Sequence, residues 1–291
     1  MWDSIESSIA SASGQPFNIR QRSAVGGGCI NQAFRLYGDQ QRYFIKLNDA
    51  AGLPMFEAES AGLQAIIDTQ TIAAPQPLCS GIAGGQAYLV MSHIDTDGSR
   101  DNPQQLGRQL AAMHRATLSQ FGWHRDNTIG STPQHNDFSD NWIDFWRERR
   151  LRFQYGLAAR NGYSGQLQTD GERLMENIGD LFDGYSPQPS LLHGDLWFGN
   201  YTYDSGGVPV IFDPACYHGD READIAMTEL FGGFPKSFYS AYQEAWPLDS
   251  GYQTRKTLYN LYHILNHLNL FGGGYLSQAQ SMTRELLSEL G

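Results

Sequence analysis

The chain is short of cysteine, of positive charge and of long apolar runs, and each shortage removes a class of protein. Its 291 residues include three cysteines, Cys29, Cys79 and Cys216. An odd, scattered set of that kind builds neither a disulfide framework nor a metal-ligand spacing, and it points to a reducing, cytoplasmic setting. Against 31 acidic residues stand 20 basic ones, for a formal net charge of −11. A field of that sign repels phosphate backbones and anionic bilayers, so nucleic acid and membrane surfaces drop out as partners. It leaves room for a nucleotide that arrives with a divalent cation and meets a local pocket. No apolar run approaches the roughly 20 residues that span a bilayer. The stretch MWDSIESSIASASG carries acids and no basic segment, unlike a secretory signal. The remaining balance, 41% hydrophobic and 18% charged, is that of a globular protein. The length suits one large domain or two lobes.

What is present falls into two parts. Residues 3–12 read as a short helix ended by Gly14 and Pro16. Phe17–Val25, Gln32–Leu36 and Arg42–Leu47 then read as three strands of an antiparallel meander. Gly26, Gly27 and Gly28, followed by Cys29, interrupt the first hairpin. Bare backbone there can approach a ligand and offer N–H groups to phosphate oxygens. A plain flexible turn is the other reading, because neither Lys-Ser/Thr nor a GxGxxG spacing follows. Lys46 sits inside the apolar run Tyr43–Leu47, as edge protection or as a fixed ammonium for ATP phosphates. The second role needs an acidic partner, and a helix with Pro54 near its first turn offers Glu57 and Glu59. Glu59 is preferred because it lies one turn before Leu63 on the same face, with Glu57 as the alternative. Ala87–Met91 reads as a buried strand that runs into Ser92-His93-Ile94-Asp95, a connector where adenine can meet backbone groups around Met91 and His93. These features predict a nucleotide-binding lobe over residues 1–92 and a helical catalytic and substrate lobe over residues 93–291.

Asn102-Pro103 with Gln105 opens the next helix in capping-box fashion, and Leu106, Leu110 and Met113 form its apolar face. The polar 122–140 stretch reads as a surface loop. Arg147, Arg149, Arg150 and Arg152 read as a solvated helix face bridged to local acids. Then comes LLHGDLWFGN, residues 191–200. Asp195 can accept a proton from a hydroxyl, and five residues later the amide oxygen of Asn200 can bind a hard cation. Alone, the stretch is equally a polar turn in which His193 and Asp195 cap backbone groups. Taking Gly206-Gly207 as a two-residue hairpin turn pairs 203 with 210, 201 with 212 and 200 with 213. Asn200 and Asp213 then face each other beside Asp195, the arrangement magnesium–ATP requires. Taken together with Lys46 and its glutamate, these motifs predict phosphoryl transfer.

The order of glycine loop, strand lysine, helix glutamate, HGD…N and second aspartate resembles the protein-kinase-like fold of aminoglycoside and choline kinases. More narrowly, GGGCIN, HGDLWFGN, FDPACYHGDREADIAMTELFGGF and YNLYHILNHLNLFGGGYL resemble the fructosamine (ketosamine) kinase family, from about Phe17 to the C-terminus. The resemblance implies an α+β fold of two lobes, an N-terminal antiparallel sheet with one helix and a mostly helical C-terminal lobe. It implies ATP and Mg2+ as cofactors, Asp195 as catalytic base and Asn200 and Asp213 as magnesium ligands. Lys46 would hold the phosphates, anchored by Glu59, with Gly26 to Gly28 above them. The implied substrate is a ketosamine, free or protein-bound. Phosphorylation of its 3-hydroxyl gives a product that decomposes and frees the amine. Some family members carry a redox-active cysteine where Cys29 stands. Oxidation to an intermolecular disulfide is therefore one expectation and an inert thiol the other, which leaves a monomer or a redox-dependent dimer. Two residues depart from the pattern: Phe198 replaces a commonly small residue, and Pro214 follows Asp213 where protein kinases have Phe-Gly. Trp197 is either core or a stacking platform for a sugar ring, and Phe198 beside it bears on the same pocket. Arg221 is expected to pair with an acid and brace the catalytic loop, with His193 and Asp224 as further support. His263 and His267, one turn apart with no third ligand, read as packing residues.

Overall fold

The computed structural model describes residues 1–26, 31–96 and 101–290. In chain order the elements are α1 (Trp2–Ser13), β1 (Gln21–Val25), β2 (Gln32–Tyr37), β3 (Arg42–Asp49), α2 (Leu53–Asp68), β4 (Pro77–Ala83) and β5 (Gln86–Ser92). There follow α3 (Pro103–His114), β6 (Asn127–Ile129), β7 (Thr132–Gln134) and α4 (Trp142–Phe145), which runs through a π-helical stretch into α5 (Arg152–Arg160). The chain continues with α6 (Gln166–Asn177), β8 (Ser190–Leu192), β9 (Tyr201–Tyr203), β10 (Pro209–Ile211) and β11 (Tyr217–Gly219). Four helices close it: α7 (Glu222–Leu230), α8 (Lys236–Ala245), α9 (Tyr252–Phe271) and α10 (Leu276–Glu289). They form two compact units, Met1–Asn102 with Tyr201–Pro214, and Pro103–Asn200 with Ala215–Gly291.

In the first unit the sheet order is β1-β2-β3-β5-β4, with every neighbouring pair antiparallel. Side chains alternate across a strand, and here the alternation divides the core in two. Tyr88 and Val90 of β5, with Ile45 and Leu47 of β3, pack with Ile5 and Ile9 of α1. Ala87, Leu89 and Met91 turn the other way, onto Phe56 and Leu63 of α2. Lys46, between Ile45 and Leu47, therefore belongs to the face that carries α2. Ile5 and Ile9 are fully buried, each contributing about 1.5–3 kcal/mol. Phe17 precedes the first strand rather than opening it, yet it is buried and meets Tyr43 edge-on at 5.0 Å.

The β9–β10 hairpin is part of this first unit. Ile211 N donates to Ala73 O at 3.0 Å, and Ser205 N donates to Asp95 O at 2.8 Å. Its register corrects the expected one: Tyr203 pairs with Pro209, Thr202 with Val210 and Tyr201 with Ile211. The cause is the turn. Asp204 Oδ1 accepts from the N–H groups of Gly206 and Val208, both at 2.8 Å, and Gly207 takes φ 81°. An aspartate-capped turn with a left-handed glycine makes a longer loop than a two-residue Gly-Gly turn and shifts the pairing by one. Asp213 thus stands two residues beyond the end of the ladder, at φ 59°.

The second unit is mainly helical. Leu258, Leu261, Leu265 and Leu268 of α9 are all fully buried. Where α3 crosses α8, a methyl group on Gly107 would lie 2.4 Å from Phe238 O, so only glycine permits that approach. Two expectations fail here. The 122–140 stretch is not a surface loop: Asn136 is fully buried and Gln134 is 1% exposed. Nor is Arg150 part of a solvated face. Fully buried, it donates to His135 O and Asn136 Oδ1 and stacks over Phe145 and Tyr217. The polar stretch is interior because this buried guanidinium requires acceptors. Arg147, Arg149 and Arg152 do bridge to Asp144, Asp137 and Glu148. Among the described residues no helix is long and apolar enough to cross a membrane.

Candidate active site

The HGD loop is held by backbone geometry and by one carboxylate. Strand β8 pairs with β11, Leu192 opposite Tyr217, and brings Ala215 N to His193 O at 2.8 Å. Gly194 then adopts φ 81°, and a methyl group there would lie 2.1 Å from Ala215 O. Both the dihedral and the contact demand glycine. Asp224, near the start of α7, accepts from His193 N at 2.7 Å and Gly194 N at 2.8 Å. His114 Nε2 lies 3.1 Å from the same carboxylate, and its Nδ1 lies 2.8 Å from the Tyr242 hydroxyl. That hydroxyl also accepts from Arg221 Nη1. Burial works against the Asp224 charge, but the bonds from His114 and Gly194 N and the nearby imidazoles hold its pKa below the ordinary value.

The remainder of the loop is cross-tied. Asn200 Nδ2 donates to Asp195 O at 2.8 Å and to Asp195 Oδ2 at 3.3 Å, and Asn200 N donates to Trp197 O at 3.0 Å. Using its nitrogen internally leaves the amide oxygen of Asn200 as the group to offer a hard cation. His193, fully buried, accepts from Asp195 N through Nδ1 at 3.3 Å. The indole of Trp197 lies over Gly199, where a methyl group would come within 2.5 Å of it. Phe198 beside it is 57% exposed.

In the first unit Lys46 Nζ donates to Glu59 Oε1 and to Asp213 Oδ1, each at 2.6 Å. Glu59, rather than Glu57, is thus the helix glutamate that meets it. Lys46 and Glu59 are both buried, whereas the Asp213 side chain is 44% exposed. Burial lowers the Lys46 pKa, but Asp213 and Glu59 outweigh it and the net shift is upward, so the ammonium stays charged. Asp213 combines an open carboxylate with a left-handed backbone that costs about 1 kcal/mol or more, a combination typical of ligand-handling residues.

The other expected residues separate. Gly26 is exposed with open space around its α carbon, while Gly27, Gly28 and Cys29 lie outside the described residues. Met91 is 2% exposed, so its side chain is core and only its backbone is available to a ligand; His93 follows directly after β5. Arg221 does not brace the loop through an acid: its guanidinium donates to Trp246 O, Pro247 O and the Tyr242 hydroxyl. Asp224 takes the bracing role because it lies one helical turn further on, level with the loop amides. His114, its support, went unmarked in the sequence, where it is a lone histidine in a helix's last turn. His263 is buried, with a pKa lowered to about 3 by desolvation, and His267 Nδ1 bonds to His263 O at 2.8 Å. Burial pushes the Cys79 thiol up to about 11 and also raises that of Cys216. Among the described residues no group of three His, Cys, Asp or Glu could hold a metal. Asn200 Oδ1 and the Asp213 carboxylate are each oxygen donors of the kind a hard cation takes.

Comparison with known proteins agrees with this chemistry. The model of the fructosamine kinase family matches residues 1–289. A Synechocystis protein provisionally described as a ketoamine kinase is 49% identical, over 98% of this chain and 97% of its own. The chloroplastic protein-ribulosamine 3-kinase of Arabidopsis thaliana is 46% identical, over 95% of this chain and 86% of its own. A Haemophilus somnus crystal structure, provisionally described as a fructosamine-3-kinase, superposes with a TM-score of 0.89 at 28% identity over 99% and 98% of the two chains. The likeness in fold extends to an aminoglycoside phosphotransferase, at TM-score 0.63 and 15% identity over 98% of each chain. The fold is therefore the protein-kinase-like α+β fold, the activity is ATP-dependent phosphoryl transfer, and the chain belongs to the fructosamine kinase family.

Proposed function

We propose that the protein transfers the γ-phosphoryl group of ATP to the 3-hydroxyl of a ketosamine, a fructosamine or ribulosamine, free or protein-bound. The carrying observation is the buried Lys46–Glu59 pair that shares its ammonium with the open carboxylate of Asp213. An ammonium so placed can exchange Asp213 for phosphate oxygens while Glu59 keeps it oriented. Asp195 accepts the proton of the sugar hydroxyl as the phosphoryl group transfers, and the Asp224-held amides of His193 and Gly194 keep that loop in place. Bound magnesium supplies neutralisation of phosphate charge, and Asn200 Oδ1 and Asp213 are the residues that would hold it. Gly26 to Gly28 cover the phosphates, and adenine meets backbone near Met91 and His93. The 3-phosphate product decomposes and frees the amine, so the outcome is deglycation. We assign a cytoplasmic setting from the sparse, odd-numbered cysteines, and a monomer unless Cys29 oxidises to link two copies.

The deciding experiment is transfer from ATP to a small fructosamine and a small ribulosamine, with the phosphate position mapped by NMR. Transfer to the 3-hydroxyl is expected. Failure on both, with turnover of an aminoglycoside or choline, overturns the reading. In the same assay Asp195→Asn is expected to bind ATP and to lose about 10³-fold in turnover, within the range for a general base. Activity measured with oxidant and then reductant tests Cys29: a Cys29→Ser variant as sensitive as the wild type removes the redox role.

A further inference from the structure

Six rings in the second unit make one connected strip that begins on the HGD loop. Phe198 meets Trp197 edge-on at 4.7 Å, and Trp197 meets Phe231 at 6.2 Å. Phe231 lies 4.9 Å from His267, which lies 5.3 Å from Phe271 and 5.1 Å from Tyr275. The two ends are open, Phe198 and Phe271 each being 57% exposed. Among the described residues Phe198 and Phe271 are the two most exposed large hydrophobic side chains, and both belong to this one ring cluster. Phe198 cannot be explained by the loop's own packing, because Trp197 already fills the space over Gly199.

We infer that the outer rings of this strip, Phe198, Phe271 and Tyr275, form the subsite for the substituent on the ketosamine nitrogen and favour an amine with an apolar or aromatic body. The inference rests on the proposed ketosamine activity. With the sugar's 3-hydroxyl at Asp195, the nitrogen is separated from it only by the C3–C1 carbons, so the substituent leaves the site within reach of Trp197 and Phe198. The nitrogen of a ketosamine is a protonated secondary amine, a cation that aromatic faces attract. His267 does not oppose it: burial lowers the imidazole's pKa, which keeps the strip uncharged near neutral pH. Beyond the nitrogen the strip offers ring faces and edges rather than charged groups, which suits an aliphatic or aromatic side chain over an acidic one.

The test compares N-fructosyl glycine with N-fructosyl phenylalanine as acceptors for the wild type, Phe198→Ala and Phe271→Ala. For the wild type, KM is expected to be about tenfold lower for the phenylalanine adduct, the scale of one aromatic contact. Either substitution should bring the ratio of the two KM values toward one, with kcat for the phenylalanine adduct altered less than its KM. Phe271 is distant in sequence from the HGD loop, so its variant keeps the test informative if Phe198→Ala disturbs that loop. Equal KM values for both adducts in the wild type, or an unchanged ratio in Phe271→Ala, would overturn the subsite while leaving the kinase reading in place. No transfer to either adduct by the wild type overturns the ketosamine reading and the subsite together.

Discussion

Each unit buries an ionic cluster, and the two clusters are built to opposite ends. In the first, Lys46 spans Glu59 and Asp213, and the Asp213 carboxylate is open and carried on strained backbone. In the second, Arg255 is 1% exposed and donates to both oxygens of Glu222, to Asp249 and to Leu181 O, with its guanidinium 3.9 Å from the Tyr185 ring. Asp220 beside it accepts from Tyr185, Tyr259 and the amide of Glu222. Here the Arg255–Glu222 pair is closed on both sides, and Asp249, 34% exposed, lies at its edge on ordinary backbone. Burial of charge therefore does not mark a catalytic site. What distinguishes the first cluster is a partner that a ligand can displace.

Two substitutions can break the comparison, and two further measurements set its scale against a buried neutral group and a surface pair. Arg255→Met should have the largest effect on stability, a loss of about 3–5 kcal/mol in urea denaturation, because it strands Glu222 in the interior. Folded protein at low temperature should keep near wild-type turnover; a selective loss of turnover would move this cluster into the site. Lys46→Met should do the reverse. A fall in kcat/KM of about 10²-fold or more is expected, with a smaller stability loss, since Asp213 is already partly solvated and Glu59 can take up a proton. Unchanged kinetics would remove Lys46 from the phosphates.

The third test uses pH. The His263 pKa falls from its ordinary value of 6.5 to about 3 in the folded protein. The unfolded chain therefore binds a proton that the folded chain does not, and stability falls as pH drops from about 6.5 toward 3. Near pH 5 the difference is about 2 kcal/mol. Depression of the Asp224 pKa adds a further loss in acid, as its carboxylate protonates. Replacing His263 with Gln should flatten the curve between pH 7 and 5, and an unaltered slope would place the acid sensitivity elsewhere. The smallest effect is expected at the surface. Arg152 and Glu148 are both about half exposed, so Arg152→Ala should cost under about 1 kcal/mol.

Much of the first unit was legible. Its strands carry alternating apolar residues, its first two helices carry apolar stripes, and Pro54 marks the second helix start. These are local signals, and each survives folding because it arises within a few residues. The errors have a common origin. Reading 122–140 as a surface loop followed from its polarity, yet Asn136 and Gln134 are interior because Arg150 and Tyr262 need them as partners. Gly206-Gly207 suggested the tightest hairpin, but Asp204 captured the turn amides and moved the register by one.

The sequence by itself determined the chemistry and the family: HGD…N, a strand lysine with a helix glutamate to follow, and a second aspartate after a hairpin. Those residue types are tied to their reaction by what carboxylates, amides and ammonium groups can do. Tertiary structure decided which distant groups meet. It paired Lys46 with Glu59, the glutamate already preferred over Glu57, and added Asp213, across 167 positions of chain. It gave the bracing of the HGD loop to Asp224 and His114 instead of Arg221, and it connected Phe198 to Phe271 through intervening rings. The physical reason is that a spacing rule reaches about one helical turn or one strand pair. A partner on another element is chosen by packing, by burial and by the need of each enclosed donor for an acceptor.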